Sequence, residues 1–212
     1  MKDLFLLSGL GADKRVFDFL DFGEYNVHHI VWINPLENET IQEYARRLCN
    51  QIHISNPILI GVSFGGMIAM EIGKIIKTEK IILISSARTK KDIPQSFKLT
   101  GRLKLHYTIP PSFIANNNPV TNWLFGAKTA SEKELLSSIL KDTDVQFSNW
   151  AIEKIVRWDN VEPLQNVTQI HGTKDKTLPF KEAKFVIDGG EHLMIVNRAD
   201  EVSRAIKNAL TD

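Results

Sequence analysis

A single cysteine, Cys49, leaves the chain without the means to form an internal disulfide. Its setting, Ala45-Arg46-Arg47-Leu48-Cys49, reads as helix, where a lone thiol serves as a small packing group. An excess of either charge is missing too. Lys and Arg number 26 against 25 Asp and Glu, leaving +1, and no cluster of basic residues forms a stripe. That balance describes a mixed solvated surface and argues against a nucleic-acid or membrane-surface partner. Long apolar runs are also lacking. The N-terminal one, Leu4 to Leu7, is too short for a secretory signal, and no other run approaches a spanning length. The expectation is therefore a cytoplasmic protein. No grouping of histidines and acids has the spacing of a metal motif, so no metal is called for. What remains, 212 residues, suffices for one domain with a large core.

The pattern along the chain is strand then helix, repeatedly. Asp3 to Leu7, Val27 to Ile33, Pro57 to Val62, Lys80 to Ser85, Thr168 to His171 and Lys184 to Ile187 read as strands. Their nearly continuous Ile, Leu and Val content suits strands covered on both faces. Helical spacing appears in Thr40 to His53, with Thr40 as N-cap, and in Phe64 to Lys77, Val145 to Trp158 and Arg198 to Leu210. In the last of these Val202, Ala205, Ile206, Ala209 and Leu210 share one face. The expected fold class is α/β: a mainly parallel six-stranded sheet with helices on both faces.

Gly61-Val62-Ser63-Phe64-Gly65-Gly66 carries the strongest chemical signal. A buried strand that turns abruptly into a helix at a serine strains the serine backbone and points its hydroxyl outward. Neighbouring chain passes close by, so small residues two before and two after the serine are a steric need. The helix that starts there directs its positive end at developing negative charge. Near the other end, His171-Gly172-Thr173-Lys174-Asp175 follows one strand, and Gly189-Gly190-Glu191-His192 follows another. Loops after parallel strands emerge at one edge of a sheet, so Ser63, Asp175 and His192 can converge there.

On these three motifs, and on their order of serine, acid, histidine, the chain resembles the α/β-hydrolase superfamily over nearly its whole length. The superfamily usually has eight strands, the first two forming an antiparallel edge; a chain starting at the third is a trimmed version of that fold. The resemblance implies a nucleophile at Ser63, a base at His192 and an orienting acid at Asp175. It further implies an oxyanion hole built from the backbone N–H groups of Leu10 and Phe64. Leu10 belongs to Ser8-Gly9-Leu10-Gly11-Ala12, where Ser8 stands in place of the superfamily's usual histidine. The activity implied is hydrolysis of a small ester, thioester or amide through an acyl-enzyme, with a small-molecule acyl substrate and no cofactor. Acyl transfer or lyase chemistry on the same fold is the alternative, as is a non-catalytic binding protein on a hydrolase scaffold. Neither the natural substrate nor the oligomeric state follows from the sequence.

Residues 88–143 interrupt the rhythm. Pro94, Pro110, Pro111, Asn116 to Asn118 and Pro119 oppose a strand, while Phe97, Leu103, Tyr107, Ile109, Phe113, Trp123, Leu124 and Phe125 supply apolar surface. By resemblance this is a small helical cap inserted in the single domain, its side chains roofing an acyl pocket or gluing the insertion to the sheet. Ser131 to Leu140 is the best helix candidate within it. Among the remaining histidines, His171 is read as ordering its loop, and His28, His29 and His53 as packing or surface groups. Asp188 and Glu191 are too near His192 in sequence to face it usefully, which leaves Asp175 as the acid. Trp150 and Trp158 are read as core.

Overall fold

The structure, a computed structural model, describes residues 2–102, 118–162 and 164–212. Its strands are β1 (Asp3–Leu7), β2 (Asn26–His29), β3 (Ile58–Val62), β4 (Lys80–Ile84), β5 (Val167–Gly172) and β6 (Phe185–Ile187). They form one sheet in the order β2-β1-β3-β4-β5-β6, and every neighbouring pair is parallel. The helices are α1 (Ile41–Leu48), α2 (Phe64–Ile75), α3 (Gln95–Arg102), α4 (Pro119–Phe125), α5 (Ala130–Lys141), α6 (Val145–Arg157), α7 (Met194–Asn197) and α8 (Ala199–Thr211). Among the described residues no helix is long and apolar enough to cross a membrane.

The alternation of side chains along each strand sorts the core into two layers. Phe5, Leu7, Leu59, Ile81 and Leu83 point to one face, where they pack with α1, α2 and Phe147 of α6. Leu4, Leu6, Ile58, Ile60, Ile82 and Ile84 point to the other, against Val202, Ala205, Ile206 and Ala209 of α8. Burial on both sides is why the central strands lack any polar alternation.

Several boundaries are tighter than the sequence pattern suggested. β2 stops at His29 because the backbone of Val31 pairs with a side chain rather than a strand. Its N–H donates to Gln51 Oε1 and its carbonyl accepts from Gln51 Nε2, each at 2.9 Å. Thr40 does cap α1: its hydroxyl accepts from Glu43 N–H while the Glu43 carboxylate reaches back to the Thr40 N–H. Beyond Leu48 that helix tightens into a 3₁₀ turn over Cys49–Gln51. Trp158 is buried and donates its indole N–H to Glu71 Oε1 at 2.7 Å, and Trp150 packs against the same layer.

In the segment that interrupts the rhythm, the expected helix runs as α5, closed at its start by a capping box at Thr129. Two more helices, α3 and α4, were not legible from spacing. Asn118 caps α4, and Pro119 supplies its first residue, a position that needs no N–H. Leu103, Tyr107, Ile109, Pro110, Pro111, Phe113, Asn116 and Asn117 lie outside the described residues.

Candidate active site

The site sits where β1, β3, β5 and β6 end. At the end of β3 the chain turns directly into α2, and Ser63 takes φ 51° and ψ −120° there. Such a conformation costs a non-glycine residue on the order of 1–3 kcal/mol and needs surroundings that enforce it. The surroundings are backbone. A Cβ on Gly61 would lie 2.5 Å from Gly66 Cα, and one on Gly65 would lie 2.2 Å from Ser8 O and 2.3 Å from Leu7 O. No side chain fits at either position. The Ser63 N–H donates to Ile84 O at 3.0 Å, tying the turn to β4. Although Ser63 is the N-cap of α2, its hydroxyl caps nothing.

That hydroxyl instead meets a histidine. Ser63 Oγ lies 3.0 Å from His192 Nε2, and His192 Nδ1 lies 2.8 Å from Asp175 Oδ2. The carboxylate can only accept, so Nδ1 carries the proton and Nε2 of the neutral ring is free to accept from the serine. Asp175 Oδ1 accepts from the N–H groups of Thr177 at 2.9 Å and Leu178 at 2.8 Å. Burial on its own would raise the Asp175 pKa. The electrostatic attraction of the His192 ring, the nearby His171, the His192 Nδ1–H and the Leu178 N–H outweigh it and hold the carboxyl well below the usual range. Asp175 and His192 are buried, while Ser63 keeps partial access to solvent. The three residues singled out by motif are thus brought together in one hydrogen-bonded line.

The first loop passes over the serine: a Cβ on Gly9 would stand 3.3 Å from Ser63 Cβ. Ser8 is occupied in shaping that loop. Its hydroxyl donates to Ala12 O at 2.7 Å and accepts the Trp32 indole N–H at 3.0 Å. Leu10 follows Gly9 in this loop, and Phe64 is the first residue of α2. Among the described residues, neither of their backbone N–H groups is hydrogen-bonded to a protein acceptor. Leu10, Val16, Phe125, Leu136 and Leu140 line a small cavity of about 40 Å³ that reaches Ser63 and His192. The Phe125 ring stands edge-on to the His192 imidazole, with centroids 5.4 Å apart. Of the other apolar residues in the interrupting segment, Phe97 packs on the core and Trp123 is exposed.

Beside this cavity lies an open cleft of about 450 Å³ that Trp123, Lys128, Lys133, Lys176 and Glu191 help to line. Glu191 is buried and pairs with Lys176 and, at 2.8 Å, with Lys128. Its carboxyl is held below its ordinary pKa because those two ammonium groups outweigh the opposing effect of burial. Of the other described histidines, His28 and His29 stand apart from the site. His28 pairs with Asp3 at 2.8 Å and stacks on Phe5, while His29 packs near Phe17. Among the described residues no group of histidine, cysteine and acid could hold a metal ion. Motif reading passed over Ser86 and Gln169, both buried beside the site. A glutamine between Thr168 and Ile170, in a strand otherwise covered on both faces, was the available signal.

No protein-family model matches the sequence, and no curated protein matches it. Solved structures do match in shape. An enol-lactonase from Burkholderia xenovorans superposes with a TM-score of 0.73 at 16% identity, covering 100% of this chain and 92% of that one. An esterase from Thermogutta terrifontis gives 0.72 at 16% identity, with 100% and 90% covered. A bromoperoxidase from Bacillus anthracis gives 0.70 at 17% identity, with 100% and 92% covered. The chain has the α/β-hydrolase fold. Full coverage of the chain by neighbours this remote in sequence places the likeness in architecture. In this chain the loops after β1, β3, β5 and β6 carry the site described above.

Proposed function

We propose that this chain is a serine hydrolase that cleaves a small ester, thioester or amide through an acyl-enzyme. The observation that carries the reading is the line Ser63 Oγ, His192, Asp175, with steps of 3.0 and 2.8 Å, at the mouth of a small apolar cavity. A serine hydroxyl is a weak nucleophile at neutral pH and needs a base within hydrogen-bond reach. His192 Nε2 takes the Ser63 proton as the oxygen attacks the acyl carbon, and then delivers it to the departing group. Asp175 stays ionised, keeps the imidazole in the useful tautomer and stabilises its charged form. The N–H groups of Leu10 and Phe64 receive the negative oxygen of the tetrahedral intermediate, each donor worth about 10²- to 10³-fold in rate. Water then enters by the same route and frees the acyl group, and no step calls on a cofactor. A cavity of about 40 Å³ holds only a few water-sized groups, which favours a short acyl chain. Among proteins of this shape are an esterase and an enol-lactonase, which supports an ester bond as the target.

The test is labelling with a fluorophosphonate probe, followed by turnover on a panel of short-chain esters. The wild-type chain is expected to label at Ser63. Ser63→Ala is expected to abolish labelling and lower turnover by about 10⁶-fold if the three groups act as a unit. A folded wild-type chain that neither labels nor turns over any ester would favour a binding role instead.

A further inference from the structure

A line of buried polar groups continues past Asp175. Gln169 and His171 are two apart on β5, so they share a face of the strand, and both are buried. Gln169 Nε2 donates to Ser86 O at 2.7 Å and lies 3.2 Å from His171 Nδ1. His171 Nε2 lies 2.8 Å from Leu178 O and 3.4 Å from Asp175 Oδ2. Ser86 in turn donates its hydroxyl to Ser63 O at 2.6 Å. The circuit leaves Ser63 by its side chain, runs through His192, Asp175, His171, Gln169 and Ser86, and returns at the carbonyl of Ser63 itself.

Proton positions in this circuit follow from which atoms can donate. A backbone carbonyl only accepts, so the Gln169 atom against Ser86 O is the amide nitrogen. An amide nitrogen only donates, so His171 Nδ1 facing it carries no proton. Leu178 O only accepts, so the single proton of His171 is on Nε2. A second proton on the ring would set N–H against N–H in a buried space. His171 is therefore neutral, in one tautomer, with its N–H directed between Leu178 O and Asp175. Leu178 is doubly engaged, because its own N–H grips Asp175 Oδ1.

Resting on the serine-hydrolase reading above, we propose that His171, set in its tautomer by Gln169, is a positioning residue. It keeps the Asp175 carboxylate turned to His192 and tempers how strongly that carboxylate stabilises the His192 imidazolium. Other charged groups near His192 are Asp175 and, beside its own loop, Glu191 with Lys128 and Lys176. On the far side of His171 a small cavity is lined by Asp92, Lys181 and Glu182, and the Phe180 ring lies 6.1 Å away. His171→Leu alters none of these charges.

The measurement is kcat/KM against pH on a short-chain ester, whose acid limb reports ionisation of the base in the free enzyme. In His171→Leu the carboxylate loses a neighbouring N–H dipole, its charge bears more fully on His192, and the acid limb is expected to move up by about half to one pH unit. His171→Gln places an amide N–H where Nε2–H was and is expected to return the limb to its wild-type position. A lowered kcat with an unmoved limb would assign His171 a purely structural role and overturn the proposal. A second measurement is independent of turnover. Imidazole ¹⁵N NMR of the wild-type chain is expected to show the neutral ring of His171 carrying its proton on Nε2. An Nδ1–H tautomer would sink the idea even if no ester is cleaved; absent turnover with the expected spectrum would instead count against the hydrolase reading.

Discussion

Ser63 is held by backbone against backbone, whereas Asp175 and His192 are held by side-chain hydrogen bonds. Around the serine the tolerance is steric. The carbonyls of Leu7 and Ser8 and the first turn of α2 leave no room for a β-carbon at Gly61 or Gly65. Around the acid the loop is shaped by polar contacts: Thr177 and Leu178 N–H groups on Oδ1, and His192 and His171 beside Oδ2. Close-packed backbone has almost no way to relax, so one extra methyl group is severe there. A hydrogen-bonded carboxylate can be replaced by a group of the same shape, so its chemistry can be removed while its geometry stays. The two halves of one site should therefore fail differently: the first by losing structure, the second by losing function with structure intact.

Gly65→Ala is the harshest test of the first half. A methyl group there would meet Ser8 O at 2.2 Å, and β1 cannot move away without breaking its pairing with β3. The expected loss of stability is about 4 kcal/mol or more, at the diagnostic end of point-mutant effects. Urea unfolding would read it, and a midpoint close to wild type would show that the elbow is softer than its contacts imply. Asp175→Asn is the matching test of the second half. Turnover is expected to fall by about 10⁴-fold through the wrong histidine tautomer, with the fold retained. The variant should also change acid stability. The Asp175 pKa is depressed in the folded chain, so its contribution is present above the unfolded value near 3.9 and is lost as pH falls through the folded value. Asp175→Asn should accordingly show a flatter loss of stability below about pH 4 than wild type. An equally steep curve would place the acid sensitivity elsewhere.

This division also explains what could be read in advance. Steric requirements write themselves as residue types at fixed offsets: glycines around Ser63, Ile and Leu in strands covered twice, Thr40 ahead of Glu43 at a helix start. Those features were legible, as was the meeting of Ser63, Asp175 and His192, because parallel strands deliver their loops to one edge. Hydrogen-bond partners carry no such offset. Ser86 and Gln169 lie 83 residues apart in sequence and meet only because β4 and β5 are neighbours. Short helices were expected in the interrupting segment, but α3 and α4 could not be placed for another reason. They are short, and the prolines that flank them read as breakers although Pro119 starts a helix. Strand ends gave way to local competition too, as when Gln51 takes the backbone of Val31 and ends β2 early.

The smallest expected effect sharpens the contrast most finely. Glu191 precedes His192, and Lys176 follows Asp175, so the Glu191–Lys176 pair joins the loop of His192 to the loop of Asp175. Lys128 adds the turn after α4 to the same carboxylate. Glu191→Gln keeps the shape and removes the charge. Because Lys128 is 70% exposed and Lys176 27%, solvent screens much of the interaction, and about 1 kcal/mol of stability is the expected loss. The wild-type advantage over this variant should shrink as salt is added, since screening weakens the exposed partners first. Turnover should fall by no more than a few fold, for the hydrogen bonds on Asp175 remain. Thermal unfolding at low and high salt, with kcat measured alongside, reads both. A loss in kcat as deep as that of Asp175→Asn would mean that the loops are aligned chiefly by charge, and the hydrogen bonds around Asp175 would then be secondary.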